Sequence, residues 1–278
     1  MEKMRPASVA GSFYPSEPDE LRRLIEECFV SSPLGPQGDA LPCPSLLGGM
    51  VPHAGYIYSG PCAAHLYARL DQSVQRVIVL GINHRGRGHR AALSPAESWE
   101  TPLGRIKVDT EVNGLLEAQV NFLRFDEAAH FQEHSIEVQL PFLQRVLGEF
   151  AISPISLADL TLEECAQLGQ AIADIYARRP HSTVILASSD LSHYLTAEET
   201  NQLDRVALEK VLAMNAAELL QIVAEEGITM CGALPTAVFL FAANALGAKQ
   251  ARLLKHYHSG DAVPMREVVG YASVMVEP

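Results

Sequence analysis

The chain has 278 residues, of which 48% are hydrophobic and 19% are charged, as expected for a globular protein with a sizeable core. Its formal net charge of -12 gives no electrostatic support for binding nucleic acid. No apolar run is long enough to span a bilayer and the N-terminus lacks a signal-peptide pattern, so we expect no membrane association. Five scattered cysteines without a Cys-x-x-Cys pair indicate a reducing, cytoplasmic compartment.

Apolar segments rich in Val, Ile and Leu alternate along the chain with segments of helical periodicity. In chain order, the patterns predict a helix over 16–29, a strand over 45–51, a helix over 60–70, a strand over 76–82, an irregular region over 91–109, a helix over 135–147, a strand over 150–157, a helix over 162–179, a strand over 182–189, two helices within 197–225, a helix after 231–237 and a closing strand over 267–276. This alternation predicts an α/β protein with a central, mostly parallel or mixed sheet and helices on both faces. The Pro- and Gly-rich stretch 31–44 lies too near the N-terminus to divide the chain, so we expect a single domain over 1–278.

Polar residues come just after three of the four predicted inner strands. His53 follows the first of these strands, His84 the second, and Asp190 and His193 the fourth. Because ligands of open α/β sheets bind beyond the carboxyl ends of the strands, we expect these side chains to share one pocket. Taken singly, each could equally be a hydrogen-bonded loop residue, a surface residue or a helix cap.

A metal centre is the function that this set of residues favours. Neutral imidazoles bind first-row transition metals well, and a nearby thiolate or carboxylate completes such a site. Cys231 is the natural further ligand, because it precedes a predicted helix whose N-terminus would favour the thiolate. A buried structural thiol is the alternative for this cysteine.

Asp190 and His193 are three residues apart, the spacing of one helical turn. If both face the same space, the carboxylate would raise the pKa of the imidazole and let His193 act as a proton-transfer residue. Alternatively, Asp190 caps a helix that begins near Leu191, and His193 is an exposed residue of its first turn.

The segment "HFQEH" at 130–134 matches the H-x-x-E-H pattern of inverted zinc peptidases. In those enzymes two histidines on one helix face bind zinc, and the glutamate activates water. The segment reads equally well as a helix start that leaves His130 outside the helix. In this second interpretation, which we favour, His134 and Glu137 line or support the predicted pocket.

Eight segments in a constant order resemble the Memo family: "RPASVAGSFYP", "VPHAGYIYSGPCAAHLY", "LGINHRG", "TPLGRIKVD", "EHSIEVQLPFL", "SSDLSHY", "CGALP" and "YHSGD" with "VGYASVMV". That family is similar in fold to the catalytic subunit of class III extradiol dioxygenases, which hold non-haem iron with two histidines and a glutamate and use another histidine as acid and base. The resemblance implies a metal pocket of His53, His84 and Cys231, with Asp190 and His193 beside it. These two and His134 are the predicted catalytic residues.

The function that the resemblance implies is a mononuclear, non-haem metal-dependent oxidoreductase that acts on a small-molecule substrate. Fe(II) is the expected metal, with copper and zinc as alternatives. Cys231 stands where the dioxygenases have a carboxylate, so ring cleavage of catechols does not follow from the resemblance. The alternative is a non-catalytic adaptor that binds metal or a phosphopeptide. Radical-SAM and AMMECR-like proteins are the partners that the resemblance implies.

Overall fold

The structure is a computed structural model that describes residues 3–38, 41–248 and 250–278, apart from the side chain of His181. Within these ranges, the strands in chain order are β1 (Met4–Arg5), β2 (Gly48–Val51), β3 (Arg76–Ile82), β4 (Ala91–Leu93), β5 (Ser98–Thr101), β6 (Gly104–Val108), β7 (Arg124–Phe125), β8 (Ala151–Leu157), β9 (Thr183–Ser188), β10 (His193–Leu195), β11 (Gln250–His258) and β12 (Val268–Glu277). The α-helices are α1 (Pro18–Glu26), α2 (Tyr56–Tyr67), α3 (Thr110–Gln119), α4 (Leu140–Val146), α5 (Leu162–Tyr176), α6 (Ala197–Leu212), α7 (Ala216–Glu225), α8 (Ala233–Ala245) and α9 (Ser259–Ala262).

These strands belong to one mixed sheet with a parallel centre. Its main path runs β1-β5-β6-β8-β3-β9-β2-β12-β10, and β6, β8, β3, β9 and β2 are mutually parallel. β12 runs antiparallel to β2, β10 and β11, while β4 pairs with β7 and with β8. The predicted α/β class with a central mixed sheet is therefore confirmed, and it is consistent with a class III extradiol dioxygenase-like fold.

The sheet separates two apolar layers, because side chains along a strand point alternately to opposite faces. In β3, Val77 and Val79 pack with the layer that contains α1, α2 and α4. The intervening Ile78 and Leu80 pack with the layer that contains α3, α5, α6, α7 and α8. Helices thus cover both faces, as predicted. Across the described ranges, no helix combines the length and apolarity that crossing a membrane requires.

The region over 91–109, predicted to be irregular, contains the short strands β4, β5 and β6. Each has only three to five residues, too few for a clear period in the sequence. Their strand conformation depends on pairing with β8 and with each other, which is a tertiary effect. The helix predicted over 60–70 begins four residues earlier, at Tyr56.

Candidate metal centre

The candidate site lies where three neighbouring parallel strands end at the same level. Val51 of β2 pairs with Ser188 of β9, and Leu80 of β3 pairs with Ala187 of β9. The residues just beyond these ends open into a cleft with a volume of about 530 Å³. All six residues that the sequence nominated as ligands or catalytic residues line this cleft: His53, His84, His134, Asp190, His193 and Cys231.

Three imidazoles form the centre of the cleft. One ring nitrogen from each of His53, His84 and His134 lies within 4.8 Å of the other two. His134, nominated from the sequence as a catalytic residue, therefore stands beside the two histidines nominated as ligands. The thiol of Cys231 adjoins the cluster, with Sγ 3.1 Å from Nε2 of His53. The structure thus offers three imidazole donors around one point, with a thiol beside one of them.

The proton on His53 can be assigned from its hydrogen-bond partners. The hydroxyl of Ser188 donates to the carbonyl oxygen of Ser135 over 2.6 Å, so it accepts from Nδ1 of His53, 2.8 Å away. Nδ1 therefore carries the proton and Nε2 keeps a lone pair. Burial, reinforced by the neighbouring imidazoles of His134 and His84, holds the pKa of His53 well below its usual value. The ring is a neutral base, the form that binds metals.

The carboxylate of Glu133 lies beside Nδ1 of the other two imidazoles. Its Oε1 accepts from Nδ1 of His84 over 2.9 Å and lies 3.4 Å from Nδ1 of His134. The backbone N–H groups of His84, His134 and Ser135 also donate to this carboxylate. Although burial raises the pKa of Glu133, these contacts lower it to about 2. A carboxylate on Nδ1 leaves Nε2 of each ring free, as in many metal-binding histidines.

Burial also keeps His134 neutral. It lowers the pKa of this imidazole to about 4 against the opposing effect of the Glu133 carboxylate. His134 stacks on His84 with ring centroids 4.5 Å apart and an interplanar angle of 18°. The two rings thus pack nearly parallel, and each has Nδ1 beside the same carboxylate.

His130 takes no part in this cluster, which decides between the two interpretations of "HFQEH". Residues 130–134 form turns and irregular backbone rather than a helix, so the two histidines of the motif do not share a helix face. His130 is buried, with Nε2 3.2 Å from the carbonyl oxygen of Ala92 and its ring edge-on to Trp99. The geometry does not support the peptidase interpretation. Glu133 of this motif nevertheless supports the site through its contact with His84, a role that the sequence analysis did not predict.

The prediction of a helix at Asp190 and His193 is wrong, because His193–Leu195 form strand β10 and α6 begins only at Ala197. His193 pairs with Val269 of β12, which extends the backbone there. The carboxylate of Asp190 instead accepts the backbone N–H of His53 over 2.7 Å. Nδ1 of His193 is 2.7 Å from the carbonyl oxygen of Leu191, which places the proton on Nδ1 and leaves Nε2 free. Burial raises the pKa of Asp190 to about 6.

Cys231 lies two residues before the first residue of α8, as the sequence predicted. The expected thiolate, however, is not the form that the surroundings favour. Burial and the nearby Asp190 carboxylate raise the thiol pKa well above its usual value, although backbone N–H groups at the helix start oppose this change. A metal that binds Cys231 would therefore have to displace its proton.

The fold and the cleft together define an α/β protein with a candidate mononuclear metal centre at the carboxyl edge of a parallel sheet. Residues 5–275 match the family model described as Memo-like protein. MEMO1 family proteins of Methanopyrus kandleri and Ignicoccus hospitalis are 41% and 42% identical to the chain, over 98% of each protein. A MEMO1 family protein of Methanocaldococcus jannaschii is 40% identical over the full length of both. The chain belongs to the Memo family, as its motifs had indicated.

Proposed function

We propose that this chain binds one transition metal ion through His53, His84 and His134 and uses it as an oxidoreductase on a small substrate. The observation that carries the proposal is the cluster itself: three imidazoles lie within reach of one ion. Nδ1 of His53 donates to Ser188 and Nδ1 of His84 donates to Glu133, so Nε2 is the nitrogen that each ring offers to a metal, and Glu133 favours the same tautomer in His134. These donors suit Fe(II), which we propose as the metal, and also copper or zinc.

Cys231 is the second candidate for the third ligand. Family resemblance pointed to it, and its Sγ lies 3.1 Å from Nε2 of His53. Its protonated state makes it a weaker donor than His134 until the proton is lost. We therefore propose His134 as the third ligand and Cys231 as an adjacent fourth donor.

The remaining side chains of the cleft suit a reaction on a bound small molecule. The metal would supply a Lewis acid and, as iron, a redox centre. Nδ1 of His193 faces the carbonyl oxygen of Leu191, so Nε2 is the ring nitrogen that would exchange a proton with the substrate. Phe13, Tyr194 and Val269 line the same cleft and provide apolar contacts that would orient the substrate and exclude water.

Metal analysis of anaerobically purified protein tests this proposal. Wild type should hold one equivalent, and His53→Ala and His84→Ala should hold none, since no neighbour replaces the lost bond. His65→Ala is the control, because this half-buried histidine bonds to Leu34 and stands outside the cluster. His134→Ala and Cys231→Ser, measured in parallel, identify the third ligand.

Metal retention by both His53→Ala and His84→Ala would refute the centre. Oxygen uptake by the loaded wild type, with catechols as first substrates, then tests the redox chemistry. A loaded protein that consumes neither oxygen nor substrate would favour the adaptor alternative.

A further inference from the structure

The N-terminal segment, residues 5–14, runs against the turn that carries Glu133 and His134. The link between them is the carboxylate of Glu137, whose side chain is fully buried. It accepts the backbone N–H groups of Ser8 and Val9 over 2.9 Å each and the hydroxyl of Tyr14 over 2.7 Å. Arg5 completes the set with Nη1 2.6 Å from Oε2. Each of these donors belongs to the N-terminal segment, so the Glu137 carboxylate determines the path of that segment.

Arg5 extends the connection to the turn itself. Its Nη2 donates to the carbonyl oxygen of Glu133 over 2.7 Å, and its Nε donates to that of His130 over 3.0 Å. The guanidinium lies 4.0 Å above the ring of Trp99. Only a planar, multidentate cation can make these contacts while pairing with Glu137, so lysine cannot replace arginine here. The backbone on the N-terminal side of His134 is thereby tied down.

The same segment also contacts the imidazole of His134 directly. The ring of Phe13 lies 4.4 Å from that of His134, centroid to centroid. Phe13 is itself anchored by its carbonyl oxygen, which accepts the backbone N–H of Tyr56 over 2.9 Å. His134 is thus enclosed by Phe13, by His84 and by Glu133.

From these contacts we infer that Arg5 and Glu137 are positioning residues for His134. The N-terminal segment thereby raises the metal affinity of a site to which it contributes no ligand. The inference rests on the proposed function, in which His134 is a ligand. Supporting groups behind metal ligands typically change affinity 10- to 100-fold when lost. We therefore expect Arg5→Lys, which keeps the charge beside Glu137 but loses the contacts to the turn, to weaken metal binding about tenfold or more.

A second buried pair provides a matched control. Arg76 bonds to Asp109 over 2.7 Å, with side chains 10% and 13% exposed. Arg76 is the first residue of β3. At about 3.3 Å per residue, it lies about 20 Å from the end of the strand that adjoins the candidate site. Arg76→Lys should cost comparable stability while leaving the metal dissociation constant unchanged. Equal losses of affinity in the two variants would refute a specific role for Arg5.

A double-mutant cycle shows whether Arg5 acts through His134. Titration of His134→Ala with metal should show a weak residual affinity through His53, His84 and Cys231. In that background Arg5→Lys should cause no further loss of affinity, because the group it positions is absent. An undiminished tenfold effect in that background would overturn the inference.

Histidine side-chain NMR of the metal-free protein separates this inference from the proposed function. Arg5→Lys should shift the imidazole nitrogen resonances of His134, and Arg76→Lys should leave them in place. If wild type binds no metal, the proposed function fails while this measurement still decides the positioning role. Unchanged His134 resonances in Arg5→Lys would reject that role.

Discussion

Glu133→Gln is the substitution that most directly probes how the candidate centre is held. The pKa of Glu133 falls from an ordinary 4.5 to about 2 in the folded chain, net of the burial that opposes this change. Because a tenfold change in an acid constant is worth about 1.4 kcal/mol, the ionised carboxylate contributes roughly 3 kcal/mol at neutral pH. Glutamine keeps the size but turns an amide N–H toward donors such as Nδ1 of His84. We expect the free energy of unfolding to fall by roughly 3 kcal/mol and metal affinity to fall about 10- to 100-fold.

The difference in stability between wild type and Glu133→Gln should depend on pH, because folding lowers the pKa of Glu133. A carboxyl group whose folded pKa is depressed stabilises the protein above its unfolded pKa, and this stability is lost as pH falls toward the folded value. The gap between wild type and Glu133→Gln should therefore narrow by about 1 kcal/mol between pH 7 and pH 4. Denaturant unfolding at both pH values, together with metal titration at pH 7, measures these effects.

Glu164 offers a matched control for Glu133. Its bonds to Arg90 and Thr161 also lower its pKa to about 2, but the pair lies near the surface, with side chains 20% and 37% exposed. Solvent screening limits such pairs to about 1 kcal/mol or less, so Glu164→Gln should lose little stability and no metal affinity. A Glu133→Gln protein that matched this control in both measurements would show that Glu133 does not hold the histidines.

Three further outcomes are expected. His193→Gln should retain metal while oxygen uptake falls about 10²- to 10⁴-fold, and undiminished uptake would remove His193 from the mechanism. Asp190→Asn should raise the free energy of unfolding by roughly 3 kcal/mol at pH 8. A carboxyl whose pKa is raised to about 6 by burial stabilises the fold only below about pH 4 and loses that contribution between about pH 4 and 6, so a gain that persists at pH 3.5 would contradict this cause. Gly270→Ala should lose at least 1–3 kcal/mol in thermal unfolding, since the new Cβ would lie 1.8 Å from the buried Asp204 carboxylate, whereas Gly114→Ala meets open space and should lose nothing.

Periodicity was sufficient to predict the central strands and most of the helices. The strand predicted over 76–82 matches β3 residue for residue, because a run of buried Val, Ile and Leu is legible without its neighbours. Strands were missed where pairing rather than pattern stabilises them. β11 is an example: its residues are mixed in polarity, and antiparallel pairing with β12 determines their conformation.

The sequence by itself determined that His53, His84 and Asp190 would meet, because parallel strands end at one edge of a sheet and each residue directly follows a strand. It also determined the family, through motifs that run the length of the chain. Only the tertiary structure decided how His134 joins the cluster, because its position depends on a turn held by Glu133 and by a segment more than a hundred residues away. Hydrogen bonds between parts of the chain so distant in sequence leave no periodic signal, yet they determine which nitrogen of each imidazole is free to bind a metal.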